Sequence, residues 1–434
     1  MKRTLCTQAS ELSRRDFLAF TAKSMLGVSA LSFLPSLSFA GDPGAAAGTV
    51  RRPTAKNIIY LYMAGGMSHL DTFDLKPGTA VQGPVTPLKT SAPGVQISEY
   101  FPLLAKQMHQ VAVINSMTSN QGAHEQGNYI MHTSYALRGT VRHPCMGSWM
   151  LRFSGRTNPT IPGNVVIQGG SNYPGAGYLD PAFAPLMIGN PADGLKDSAM
   201  PSGMTEDHYQ QRLAMLNEMN KGFQSTFTTP AVTGYQDAYE EALALMHSDD
   251  LKAFDITDEA QTIKDSYGDS PFGQGCLLAR RLVEHGVRFV EVNLGGWDTH
   301  TDNFERVADQ GAILDRAMAA LLPDLASRGM LDETLVVLTT EFGRTPEITA
   351  SQGRNHHPKC FSALMAGGGI KGGQVYGASD DQGDSPIKDP VSVQDFNATI
   401  AFASGLPLDE VVHSPAGRPF TIADKGHPVT ALFA

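Results

Sequence analysis

The chain has 434 residues, 41% of them apolar and 18% charged, and a formal net charge of −10 at pH 7. An acidic balance of this size argues against nucleic acid and anionic membrane surfaces as partners. The apolar share is ample for a large buried core.

The first element is a targeting pattern. Ser13-Arg14-Arg15-Asp16-Phe17-Leu18 leads into an uncharged, moderately apolar stretch from Met25 to Ala40, and Ser38-Phe39-Ala40 supplies the small residues of a cleavage site. This is the layout of a twin-arginine signal peptide over residues 1–40. The stretch is shorter than the ~20 apolar residues that cross a bilayer, so no stable membrane span is expected after cleavage. The expected destination is the periplasm, or the cell surface beyond it, reached in the folded state. Folded export favours a metal or cofactor inserted beforehand.

The segment carries five basic residues against two acidic ones, so its removal takes the formal charge from −10 to −13. Cys145, Cys276 and Cys360 then remain. Their spacing gives neither a disulfide framework nor a cysteine metal motif, and it leaves open whether one pair forms a disulfide. Residues 41–55 read as a flexible lead-in, and 56–434 as one large domain with insertions.

Within that domain the apolar runs Asn57–Met63, Gln110–Asn115, Asn164–Gln168, Arg288–Leu294, Thr334–Thr340 and Phe361–Met365 read as strands. They are continuous rather than alternating, as in a sheet covered on both faces. Helical spacing marks Glu125–Ser134, Pro271–His285 up to Gly286, and Asn303–Arg328 up to Gly329, with Pro323 a candidate kink. Alternation of this kind predicts an α/β fold, a three-layer α/β/α sandwich around a mainly parallel sheet.

Polar clusters follow the strands. Ala64-Gly65-Gly66-Met67-Ser68-His69-Leu70-Asp71 comes after the first, a loop leading to His124-Glu125 after the second, Gly296-Trp297-Asp298-Thr299-His300 after the fourth, and Glu341-Phe342-Gly343-Arg344 after the fifth. Ligands of parallel sheets bind beyond the carboxyl ends of the strands, so these loops are expected to converge. Asp298 and His300, one residue apart, offer the oxygen and imidazole donors of zinc or another first-row ion. The alternative has Asp298 capping the next helix and His300 on the surface.

Glu341 ends an apolar strand, where a carboxylate needs a partner: a metal, or Arg344. Arg344 has the fork geometry to orient an anionic ester. Of His356 and His357, one is expected at the site and the other exposed. His124, at a helix start that favours anions, is the more functional of His124 and His132, and His132 reads as a packing residue. Ala366–Gly373 is glycine-rich but lacks a phosphate-loop ending and reads as a tight loop.

These stretches, together with Gly273–Glu284 and His356–Gly373, resemble the bacterial exported proteins of domain of unknown function 1501, over almost all of the chain beyond the signal. That family is similar in fold to the alkaline phosphatase and sulfatase superfamily, which holds divalent metals at the sheet edge. The resemblance implies that Asp298, His300 and His356 form one metal triad. It places the second site's usual Asp at Ala64 and its usual Asp-His pair at Glu341-Phe342, with Asp71 or Ser68 as substitutes. The nucleophile position falls near His124, as a metal ligand or a phosphoryl acceptor.

The expectation is therefore an exported, metal-dependent hydrolase of phosphate or sulfate esters. Asp298, His300, His356, Glu341 and Asp71 are its candidate ligands, and His124 and Arg344 its candidate catalytic groups. The alternative is a non-catalytic exported binding or assembly protein with a protein partner.

Overall fold

The computed structural model describes residues 54–434 except 197, 199–202 and 228–229. The signal reading falls on residues outside those described.

The chain lays down β1 (Asn57–Met63), the hairpin β2 (Pro87–Lys89) and β3 (Gln96–Ser98), then β4 (Val111–Thr118), β5 (Asn164–Ile167), β6 (Leu186–Ile188), β7 (Phe289–Leu294) and β8 (Thr334–Thr339). A two-residue ladder of β9 (Gly343–Arg344) and β10 (His356–His357) precedes β11 (Phe361–Ala366), β12 (Gln374–Tyr376), β13 (Ala378–Ser379), β14 (Pro386–Lys388) and β15 (Val391–Ser392). The helices are α1 (His124–Thr133), α2 (Met146–Ser154), α3 (Glu206–Gln224), α4 (Pro230–Met246), α5 (Gln261–Tyr267), α6 (Pro271–Glu284), α7 (Asn303–Ser327) and α8 (Val393–Ala403).

The central sheet runs β12-β4-β11-β8-β1-β7-β5-β6, with β15 added beside β4. Its strands are mainly apolar because both faces are covered, with Glu291 of β7 and Asn115 of β4 among the exceptions. In β1, Ile59, Leu61 and Met63 join Leu278, Leu282, Leu314 and Leu321 of α6 and α7 on one side. Ile58, Tyr60 and Tyr62 join Ile130, Trp149, Phe396 and Ile400 of α1, α2 and α8 on the other. Period-2 alternation thus feeds two cores rather than a core and a wet face, which makes the three layers.

Most neighbouring strands pair in parallel, but β11 runs antiparallel to both β8 and β4. A parallel neighbour requires a crossover, usually a helix. Between β8 and β11 lies only the β9–β10 ladder, so the chain returns reversed. Helix ends follow the sequence. Ser270 accepts a hydrogen bond from Gly273 N–H at 3.0 Å, with Pro271 at the first helical position of α6. Ser134 closes α1 in the left-handed region at φ 68°. Helix α7 continues through Pro323. No helix among the described residues is long and apolar enough to cross a membrane, and the three described cysteines are free and buried.

Candidate metal centre

Register brings the site together. Met63 of β1 pairs with Leu294 of β7, and Tyr62 with Thr339 of β8, so the three strands end level and their loops emerge side by side. β4 ends at the same edge and feeds α1, whose first residue is His124. Two glycines let the loops close up. A Cβ on Gly65, at φ 120°, would fall 2.5 Å from Asp298 N, and one on Gly66, at φ 82°, would fall 2.6 Å from the Phe342 ring.

Asp298 is the hub. His300 Nε2 lies 3.1 Å and His356 Nε2 3.4 Å from its Oδ1, while His124 Nε2 lies 3.4 Å from its Oδ2. The Nε2 atoms of His300 and His356 are 3.0 Å apart. Each ring turns its other nitrogen to an oxygen: His124 Nδ1 to Glu341 Oε1 at 2.8 Å, His356 Nδ1 to the Gly122 carbonyl at 2.8 Å, and His300 Nδ1 to Asn355 Oδ1 at 3.2 Å. The Glu341 carboxylate and the Gly122 carbonyl can only accept, so Nδ1 of His124 and of His356 donates to them, and a neutral ring held this way has its lone pair on Nε2, the nitrogen that faces Asp298.

Donor atoms of His124, Asp298 and His356 lie within 4.8 Å of one another, with His300 Nε2 beside Asp298 and His356, a constellation that suits a cation. Imidazoles fixed through the far nitrogen by a carboxylate, an amide or a carbonyl are the usual setting of metal-bound histidine. The donor separations match too. Bonds of about 2.0–2.1 Å in a tetrahedron imply donor–donor edges of about 3.3 Å.

Charge is set by the neighbours. Burial pushes Asp298 upward, but the Arg344 guanidinium, 2.6 Å away, outweighs it with His124 and His300 and holds the carboxyl at about 2. The Glu341 hydrogen bond raises His124, with Asp298 adding to it against burial. Burial lowers His356, reinforced by the nearby Arg344 and His124.

The remaining candidates have other duties. Glu341 is buried and takes no hydrogen bond from Arg344: it accepts from His124, from Gly65 N–H at 2.8 Å and from Tyr62 OH at 3.0 Å. Arg344 is fully buried. It donates to Asp298, to the carbonyls of Gly66 at 2.7 Å, Arg354 at 3.1 Å and Trp297 at 3.2 Å, and to that of Gly65. Its donors hold the loops and Asp298, instead of reaching toward an ester as the sequence suggested.

Asp71 lies outside the cluster as well. It receives Arg354 in a two-pronged pair at 2.8 and 2.9 Å, Asn303 at 2.9 Å and Ser68 at 2.5 Å. With its oxygens so occupied, it is scaffold to the loops, not a donor beside His124, and Ser68 goes with it. Asp298 does not cap α7, whose N-cap is Asp302. His357 is buried, not exposed, with Nε2 2.7 Å from the Asp384 carbonyl.

Sequence reasoning missed Tyr62, because a tyrosine inside an apolar strand carries no mark of the carboxylate it will meet. It also missed the pairing of His132 with Glu291, 3.1 Å apart in the core.

The family model described as Protein of unknown function (DUF1501) matches residues 55–433. A search of curated proteins finds no match. Among solved structures, a mutant of alkaline phosphatase PafA aligns at TM-score 0.42 and 10% identity, over 88% of this chain and 100% of that one. The PsFucS1 sulfatase from Pseudoalteromonas sp. aligns at TM-score 0.38 and 13% identity, over 88% and 72%. The lipoteichoic acid synthase LtaP from Listeria monocytogenes aligns at TM-score 0.37 and 10% identity, over 82% and 74%. With the model spanning nearly all the described residues, the chain belongs to the DUF1501 family.

Proposed function

We propose that the chain is an exported, metal-dependent hydrolase of phosphate or sulfate esters, with one divalent ion, zinc by donor type, held by His124, Asp298, His300 and His356. The observation that carries the reading is the convergence of the Nε2 atoms of His124, His300 and His356 on the Asp298 carboxylate. An ion there would supply Lewis-acid polarisation of an ester oxygen and ease the deprotonation of water.

The protein's own groups do the rest. Glu341 accepts the Nδ1 proton of His124 and keeps Nε2 free. Arg344 holds Asp298 ionised. The N-terminus of α1 has no side-chain cap, so its first amides are available to an anionic group beside His124. The hydroxyls nearest Glu341, those of Tyr62 and Thr340, are turned to Glu341 and to the Met63 carbonyl. In this reading the attacking group is water.

The twin-arginine pattern supports the periplasm as the compartment of this chemistry. The test is hydrolysis of 4-nitrophenyl phosphate and 4-nitrophenyl sulfate by the purified chain before and after chelation. Turnover should vanish on stripping and return with zinc. Retained metal with no turnover on any ester would favour the binding or assembly reading.

A further inference from the structure

The β9–β10 ladder has two sides. His356 faces the centre just described, and the next residue, His357, turns to the other side, where a second cluster is buried. His69 from the loop after β1, Asp74 a little beyond it, and Cys360 at the start of β11 bring one donor atom each to within 4.8 Å of one another. Their exposures are 0%, 8% and 0%.

The His69 ring has an unmatched nitrogen. Nε2 lies 2.8 Å from the Gly383 carbonyl, which can only accept, so Nε2 carries the proton and Nδ1 the lone pair. That Nδ1 is buried and has no partner among the described residues. Gly343 leaves room beside it, since a Cβ there would fall 2.8 Å from Nδ1 and against the Cys360 carbonyl. One nitrogen donating to a carbonyl and the other free is again the setting of a metal-bound histidine.

The partners are compatible. Asp74 accepts from Lys76 at 2.9 Å and from Ser379. A carboxylate has about four acceptor positions, so donor capacity remains. The nearest hydrogen-bond partner of Cys360 Sγ is the Asn115 carbonyl, at 3.9 Å.

We propose that His69, Asp74 and Cys360 form a second, buried zinc site with a structural role, distinct from the His124 centre. Thiolate, imidazole and carboxylate are donors that zinc takes together. Binding releases the Cys360 thiol proton to solvent and leaves the sulfur as the ligand. The three donors must draw in by roughly 1 Å to reach bonds of about 2.0–2.3 Å. Burial keeps the site from any substrate. A zinc there pins the loop after β1 to β11, behind the ladder that carries Arg344 and His356.

The inference stands apart from the proposed hydrolysis, and cobalt separates the two. The purified full chain is stripped and refilled with cobalt(II), and its near-ultraviolet spectrum is read for thiolate-to-cobalt charge transfer. The wild type should show the band, Asp298→Asn should keep it, and Cys360→Ala should lose it together with a single equivalent of bound metal. His69→Gln should weaken it, and serves if Cys360→Ala does not fold. A refilled wild type without the band, or a band that survives in Cys360→Ala, overturns the second site.

Discussion

Glu341 Oε1 accepts the Nδ1 proton of His124 at 2.8 Å, and that single contact points His124 Nε2 at Asp298. A carboxylate at the mouth of an apolar strand is thereby explained without an arginine partner. Its cost in the core is offset by Tyr62 and the Gly65 amide. Glu341→Gln keeps the shape and weakens the acceptor. Loss of such an outer partner lowers metal affinity about 10–100-fold, so dialysis against graded chelator should strip the variant first. Equal retention would show that Glu341 does not tune the centre.

Arg344 is a brace, and lysine cannot replace it. Three nitrogens in one plane reach four carbonyls and Asp298, whereas a lysine has a single nitrogen. Arg344→Lys leaves carbonyls unmatched and is expected to cost about 2 kcal/mol or more, read as a lower urea midpoint. It should also loosen metal, because Asp298 loses the cation that holds its carboxyl low. An unchanged midpoint would return Arg344 to the role of a free anion clamp.

Asp71 and Arg354 make a fully buried pair, and breaking one partner of such a pair costs about 3–5 kcal/mol. Asp71→Asn should therefore lower stability by that order in denaturant titration while any folded fraction keeps its metal content. Metal lost in proportion to a folded, stable variant would restore Asp71 as a ligand.

Two histidines away from the centre contribute to the pH dependence of stability. Burial lowers His132, but Glu291 outweighs it, so its folded pKa is raised. That contribution is complete below the unfolded value near 6.5 and is lost as pH rises through the folded one. His143 is depressed to about 4, by burial first and then by Arg138. Here stability is complete above about 6.5 and declines as pH falls toward 4. Urea unfolding across pH should decline on both sides, with His132→Gln flattening the alkaline limb and His143→Gln the acid one. A limb that persists in its variant assigns it elsewhere.

The six apolar runs were legible because a strand buried on both faces shows mainly apolar residues, and β1 begins and ends where its run does. β6, β12 and β15 were not: two or three residues at a sheet margin make no run. The reversal of β11 was also hidden, since a buried strand reads the same in either direction.

At the site, Asp298, His300 and His356 could be picked out by donor type and by their loops. The partners of Arg344 could not, because its hydrogen bonds go to backbone carbonyls that any sequence would supply. The separation of Asp71 from the cluster depends on Arg354, a residue 283 positions away in the chain.

Elemental analysis of the full chain purified without chelator bears most directly on the central claim, run beside Asp298→Asn and His356→Gln. The wild type should carry zinc or another first-row ion, and each variant should lose an equivalent while keeping its circular dichroism. A folded wild type without metal, or variants with undiminished content, would contradict a metal centre built on His124, Asp298, His300 and His356.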